Sequence, residues 1–296
     1  MTPRVTLRHR IGYLGVRVLL AFGARLPESL AYGVAGALGR TFFRFSKRRR
    51  ELSLRMLRNA FPERGDGDLL RIGRAASGHV FQVVVDMMRT SRMIATGRAR
   101  DRFDLSGVRH LVPTGPWFAL TGHLGSWEVS GVMVATLGHE SHAIARTFKN
   151  PLLDAFLTKT RERGGLHLHP RRGGLRPVAR AMRAGHVGMQ VIDQHQRLRG
   201  IVVPFFGQPA STERAAATLA VRRAYPIMVG AAIRVGRGYR FRMEAIGPIH
   251  PRRTGDLAAD VEHTVREVNA ALETLIRRFP EQYLWMHDRY RVRTSP

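Results

Sequence analysis

The chain has 296 residues, 44% hydrophobic and 8% aromatic, which excludes wholesale disorder and allows one large α/β domain or two small ones. Lysine and arginine total 49 against 22 acidic residues, a net charge of +27, so a polyanionic partner, nucleic acid or anionic lipid, is favoured. Cysteine is absent, which excludes disulfides, thiolate metal centres and a cysteine nucleophile. Three of the basic residues are lysines (Lys47, Lys149, Lys159). The planar guanidinium suits phosphate, although a GC-rich genome accounts equally well for the arginine preference.

The first fifty residues carry eleven Lys/Arg and one acid, Glu28. Their spacing predicts helices over 7–26 and 29–50, the second ending in Lys47-Arg48-Arg49-Arg50. Leu14, Val18 and Phe22 recur at helical spacing with arginines among them. The pattern fits a packed helix pair with a solvated basic face, or a monotopic anchor whose arginines meet lipid phosphate. Arg4, Arg8 and Arg10 before this apolar stretch mimic a signal peptide. The missing small-residue cleavage site argues that the segment is retained, and Arg17 and Arg25 interrupt what would otherwise approach a membrane span.

Further helices are predicted over 51–61, stopped by Pro62, and over 68–92. After Gly97 short apolar runs alternate with helical ones. Strands are expected at 117–121, 142–146, 166–169, 187–192, 227–235 and 239–245. Helices are expected at 126–137, 151–163, 175–184, 211–223 and 256–279. This alternation predicts an α/β fold with a mainly parallel central sheet covered by helices on both faces.

The sharpest local feature is Thr121-Gly122-His123-Leu124-Gly125-Ser126-Trp127-Glu128. It places a histidine at the carboxyl end of a strand, where α/β sheets bind ligands. Glu128 falls in the first turn of the next helix, which Ser126 is positioned to cap. A carboxylate there can reach back to one imidazole nitrogen and leave the other free to take a proton from a hydroxyl. It can equally be a helix-terminal acid stabilised by the dipole, beside an uninvolved histidine.

No G-x-S-x-G elbow is present. His139-Glu140-Ser141-His142 is one residue short of a zincin motif. His167 and His169 could be grouped with His195 around a metal, but with thirteen histidines chance suffices, and no metal is expected. Arg146 and Lys149, with Arg161 and Arg171-Arg172, either converge at the carboxyl edge of the sheet or form a solvated face. Asp193-Gln194 ends another apolar strand, and Val203-Pro204-Phe205-Phe206-Gly207 either lines an acyl tunnel or makes a core turn.

Taken in order, five blocks resemble the bacterial lipid A biosynthesis acyltransferases, with the phosphatidylinositol mannoside acyltransferases as close relatives. They are Leu57 with Ala60-Phe61-Pro62-Glu63; Gly122-His123-Leu124-Gly125-Ser126-Trp127-Glu128; Arg146 with Asn150-Pro151-Leu152-Leu153-Asp154; Asp193-Gln194 with Val203-Pro204-Phe205-Phe206-Gly207, Ala210 and Thr212; and Pro280-Glu281-Gln282-Tyr283-Leu284-Trp285-Met286-His287 with Arg289. Met56 and Ser126 stand where the family pattern has Asn, and Glu213-Arg214 where it often has small residues.

The resemblance implies a single lysophospholipid-acyltransferase-like α/β domain over 51–296, preceded by membrane-associating amphipathic helices over 1–50. It implies transfer of a fatty acyl group from acyl carrier protein or coenzyme A to a hydroxyl of a glycolipid acceptor, on the cytoplasmic face of the inner membrane. His123 is then the general base and Glu128 its orienting acid, with no acyl-enzyme, no metal and no cofactor beyond the thioester co-substrate. Arg146 and Arg161 would hold phosphate, Asp193 would support the site, and Asn150, Gln194, Gly207 and Thr212 would complete the substrate-binding set. Two other readings share the pattern: acylation of a lysophospholipid or another acceptor, and a non-catalytic basic protein bound to membrane or nucleic acid. Nucleic acid is not expected, because neither stacking aromatics nor a groove-reading helix is evident.

Overall fold

The computed structural model describes residues 5–145, 147–170, 173–197 and 200–291. Arg4, Arg146, Arg171 and Arg172, named above, lie outside the described residues. Four helices come first: α1 (Leu7–Arg25), α2 (Glu28–Phe45), α3 (Lys47–Ala60) and α4 (Asp66–Ala95). The α/β part follows as β1 (Phe103–Asp104), β2 (Phe118–Thr121), α5 (Trp127–Thr136), β3 (Ser141–Ala145), α6 (Pro151–Arg163), β4 (Leu166–Pro170), α7 (Leu175–Arg183) and β5 (Val187–Val191). It continues through β6 (Ile201–Phe205), β7 (Gln208–Thr212), α8 (Ala215–Arg223), β8 (Ile227–Arg234), β9 (Phe241–Ile249) and α9 (Leu257–Arg278).

Seven strands form one sheet in the order β1-β9-β8-β2-β5-β3-β4, and β6 pairs only with β7. Within the seven-stranded sheet every neighbouring pair is parallel except β8 with β9. The expected mainly parallel sheet is therefore present, and its alternation explains how both faces are covered. In β2, Phe118 and Leu120 join one core cluster with Val178, Met182 and Leu272, while Ala119 and the preceding Trp117 join the other with Val129 and Met133. The first cluster lies under α7 and α9, the second under α5.

Two predicted elements differ. The helix predicted over 29–50 breaks at Ser46, whose ψ of 82° is not helical, so residue 50 falls inside α3 rather than at an element boundary. The break lets two stripes turn independently: Ala31, Ala35 and Phe43 of α2, and Met56, Leu57 and Ala60 of α3. The helix predicted over 211–223 starts later, because residues 208–212 form a strand of the β6–β7 hairpin. Its two-residue turn, Phe206-Gly207, has φ of +48° and +73°, the left-handed backbone of a type I′ connection.

The N-terminal helices are fastened to the sheet, not merely laid beside it. At Gly39 a Cβ would stand 2.4 Å from the Ser77 carbonyl oxygen, so α2 reaches α4 at a spacing only glycine permits. The Ser77 hydroxyl donates to the Gly39 carbonyl at 2.7 Å. Below that contact the fully buried Asp86 of α4 accepts from the Tyr32 hydroxyl of α2 at 2.7 Å and ion-pairs with Arg234 at the end of β8. Arg234 also lies over the Tyr32 ring, 4.5 Å from its centroid.

Asp86→Ala leaves a buried guanidinium without its counter-charge, a loss of about 3–5 kcal/mol. Denaturant unfolding should therefore show a markedly lowered midpoint; a change under about 1 kcal/mol would contradict this role for the pair.

Candidate active site

Strand β2 ends at Thr121, and the next two residues are Gly122 and His123. Parallel pairing aligns Thr121 with Val191 of β5, and the Ile192 N–H donates to the Thr121 carbonyl at 2.9 Å. This register delivers Asp193 to His123. The Asp193 carboxylate accepts from the His123 main-chain N–H at 2.7 Å and lies 2.7 Å from Nδ1. A carboxylate only accepts, so Nδ1 carries the proton and Nε2 presents a lone pair. The Gln194 amide nitrogen sits 3.2 Å from that Nε2. The Trp127 ring packs against the imidazole with centroids 4.9 Å apart, and the His123 side chain keeps 16% of its surface exposed.

Burial disfavours the imidazolium, but the Asp193 charge, its hydrogen bond and the more distant Glu128 charge outweigh it, so the His123 pKa is raised above its ordinary value. Burial likewise works against the Asp193 carboxylate. The imidazole, the two hydrogen bonds from His123 and the Arg289 charge prevail and hold its pKa at about 2. The pair is thus a base with an ionised partner fixed behind it.

The carboxylate on His123 Nδ1 is therefore Asp193, not the Glu128 that the sequence spacing put forward. Glu128 is bound by Arg161 of α6 through Nε to Oε2 at 3.1 Å and Nη2 to Oε1 at 3.0 Å, a bidentate pair that the short H-x4-E spacing does not reveal. Glu128 sits in the first turn of α5 and acts on His123 through space. Ser126 occupies the N-cap position but makes no side-chain cap bond; its hydroxyl is buried without a partner among the described residues, and its N–H donates to the Ala232 carbonyl at 2.8 Å. Gly125 turns the chain here with φ +58°, and a Cβ at that position would lie 2.2 Å from the Ala232 oxygen.

The C-terminal segment closes the same corner, and its residues were not singled out as site residues from sequence. Leu284 N–H donates to the His123 carbonyl at 3.0 Å, and Gly125 N–H to the Gln282 carbonyl at 3.0 Å. The Tyr283 ring is buried, and burial together with the Asp193 charge keeps its hydroxyl neutral. Arg289, 3% exposed, donates to the Ser211 carbonyl at 2.5 Å and to the Thr212 hydroxyl at 2.7 Å, and its charge acts on Asp193. The signal for them was the Gln282-Tyr283 and His287-x-Arg289 spacing within the fifth block.

The remaining expected substrate contacts separate. Asn150 caps α6, accepting from the Leu152 and Leu153 N–H groups, and donates to the His9 carbonyl of α1 at 2.8 Å. Thr212 is fully buried and occupied by Arg289 and Asn269, which leaves it no path to a substrate. Gly207 makes the β6–β7 turn, and Phe205 and Phe206 before it are buried beside Phe61 and Trp285, so this segment is a core turn and not a tunnel wall. His195, grouped from sequence with His167 and His169, lies at the site edge, where its N–H donates to His287.

Two cavities flank the site. One of about 460 Å³ lies among α1, α4, α5 and α6, with Glu128 and Arg161 on its wall beside Arg17, Arg25, Arg163 and Phe156. The other, about 40 Å³, lies between the sheet and α5 and is lined by Trp117, Val134, Met189, Met228 and Met243.

The sequence profile of the bacterial lipid A biosynthesis acyltransferases matches residues 3–292. The lipid A biosynthesis myristoyltransferase of Escherichia coli is 25% identical over 93% of this chain and 84% of its own length. The lauroyltransferase of the same organism is 25% identical over 97% and 93%. A lipid A biosynthesis acyltransferase of Haemophilus influenzae is 29% identical over 56% of this chain, a match spanning about half (51%) of that protein.

Following the His123 ring by NMR should give a pKa above about 6.5 in the wild type, falling below it in Asp193→Asn, where burial is left without its counterweight. Glu128→Gln should lower it by less. An unchanged value in Asp193→Asn would remove the assigned partner.

Proposed function

The chain belongs to the bacterial lipid A biosynthesis acyltransferases, and we propose that it transfers a fatty acyl group from an acyl carrier protein or coenzyme A thioester to a hydroxyl of a lipid A precursor. The observation that carries this reading is the His123–Asp193 pair, with its protonated Nδ1 bound and its Nε2 facing an exposed amide that can swing aside. The acceptor hydroxyl takes the place of the Gln194 amide. Nε2 removes its proton as the oxygen forms a bond to the thioester carbonyl carbon. The tetrahedral species collapses, the C–S bond breaks, and the imidazolium returns the proton to the departing thiolate. Asp193 remains ionised throughout and balances the imidazolium charge. No covalent acyl-enzyme is needed. Asp193 thus takes the orienting role that the sequence reading gave to Glu128.

Glu128 has a separate task in this account. Its bidentate grip fixes the Arg161 guanidinium on the wall of the larger cavity. With Arg17, Arg25 and Arg163 around the same space, the cavity suits the phosphorylated headgroup of the acceptor.

The N-terminal helices support docking on a membrane. Leu7, Ile11, Leu14, Val18 and Phe22 follow helical spacing along α1, and each is 60–72% exposed. A second stripe, Leu30, Val34, Leu38, Phe42 and Phe45, is exposed along α2. Among the described residues no helix is long and apolar enough to cross a membrane. We place these stripes in the acyl boundary, with the surrounding arginines on anionic headgroups of the inner membrane and the site on the cytoplasmic face.

Labelled acyl thioester incubated with a lipid A precursor should yield acylated product. His123→Ala should lower that rate by about 10²–10⁴-fold with the helical signal unchanged; near-normal turnover would contradict the base assignment. Replacing Leu14 and Val18 by glutamate should weaken binding to anionic vesicles at least tenfold, whereas unchanged binding would place the docking surface elsewhere.

A further inference from the structure

At the opposite end of the sheet four imidazoles and a carboxylate gather where no step of acyl transfer uses them. His142 of β3 pairs in register with His167 of β4, and His169 follows on the same face. His142 also pairs with Gly188 of β5, which pairs with Phe118 of β2. The group is therefore level with a residue five positions before His123, roughly 16 Å back along the strands and two strands across. His186 immediately precedes β5, and Glu140 immediately precedes β3.

Three of these groups, Glu140, His142 and His186, bring ligating atoms close together, and the other two imidazoles stack on His142. The His142 ring stacks on His167 at 4.7 Å and on His169 at 5.3 Å, and meets His186 edge-on at 5.2 Å. Glu140 Oε2 lies 3.2 Å from His186 Nδ1 and 3.6 Å from His167 Nε2. One ligating atom from each of Glu140, His142 and His186 lies within 4.8 Å of the others. Tetrahedral Zn²⁺ with N and O ligands at about 2.0–2.2 Å needs separations of about 3.3–3.5 Å, so a short inward adjustment of the three side chains is enough to reach it.

Two further observations point to a ligand and not to mere stacking. His142 Nδ1 is engaged by His169 Nε2 at 3.0 Å, while its Nε2 is buried and has no hydrogen-bond partner among the described residues. That is how a metal-binding histidine is prepared: the outer nitrogen is held and the inner lone pair is left free.

We propose that Glu140, His142 and His186, with His169 behind His142, form a three-residue binding site for a divalent transition cation of the Zn²⁺ or Co²⁺ type. Imidazole with one carboxylate suits these ions and not Mg²⁺ or Ca²⁺. The cation would join β3 to the entry of β5, so its role is to lock the amino ends of these strands.

The test is Co²⁺ titration of the full-length, tag-free protein, read by visible absorption, with Zn²⁺ displacement and thermal unfolding alongside. One equivalent should bind with the intense bands of low-coordinate Co²⁺, Zn²⁺ should abolish them, and Zn²⁺ should raise the unfolding midpoint. His142→Gln should weaken Co²⁺ at least tenfold. His186→Gln should do the same from a partly exposed position, where loss of the ligand is separable from loss of fold. His263→Gln, on the surface of α9, should bind as the wild type does. Absence of a one-to-one complex, or equal affinity in His142→Gln and His186→Gln, would overturn the assignment.

Discussion

One carboxylate holding both the main-chain N–H and the Nδ1 of a histidine is the contact on which the arrangement of this molecule turns. It exists because β2 and β5 are adjacent and parallel, so that the residues just beyond their carboxyl ends meet. It also constrains its neighbours. A Cβ at Gly122 would come within 3.1 Å of the Asp193 carboxylate and of Leu272. Arg289 and Tyr283 reach the same corner from a segment bonded to the backbone of His123 and Gly125. A base of raised pKa and an ionised partner held at about 2 result from one buried contact, because water is excluded and the charges are felt at short range.

A second buried pair does the equivalent work for the N-terminal helices. Asp86 and Arg234 meet where α4 crosses the end of β8, and Tyr32 brings α2 to the same point. The helices that carry the exposed apolar stripes are thus rigidly related to the sheet that carries His123. Asn150 adds a link from α6 to α1. The arginine-lined cavity lies between these parts, with α1 on one wall and Glu128 on another.

Local patterns in the sequence were sufficient where local physics decides the outcome. The strand before His123, the helix from Pro151 to Arg163 with Asn150 as its cap, and the long helix before Phe279 follow from periodicity, proline and capping. The partner of His123 was not readable from spacing. Glu128 is five residues away and Asp193 seventy, and only the strand order brings the distant acid closer; Arg161, thirty-three residues from Glu128, removes the near one. The β6–β7 hairpin was hidden because its turn, Phe206-Gly207, carries an aromatic residue at a position usually filled by asparagine or glycine. The histidines looked accidental in sequence, because register across three strands, not spacing, assembles them.

The central claim is that Asp193, and not Glu128, makes His123 a base. The measurement that tests it most directly is the pH dependence of kcat/KM for acyl transfer in the wild type, Asp193→Asn and Glu128→Gln. The account predicts a wild-type rate that rises with pH through a value above the ordinary imidazole range, since the base must be unprotonated and its pKa is raised. In Asp193→Asn the plateau should fall by roughly 10³–10⁴-fold and the rising limb move to lower pH. In Glu128→Gln the limb should stay near its wild-type position, with the loss appearing chiefly in the KM for the acceptor. A profile in which Glu128→Gln abolishes turnover and displaces the limb, while Asp193→Asn follows the wild type, would contradict it.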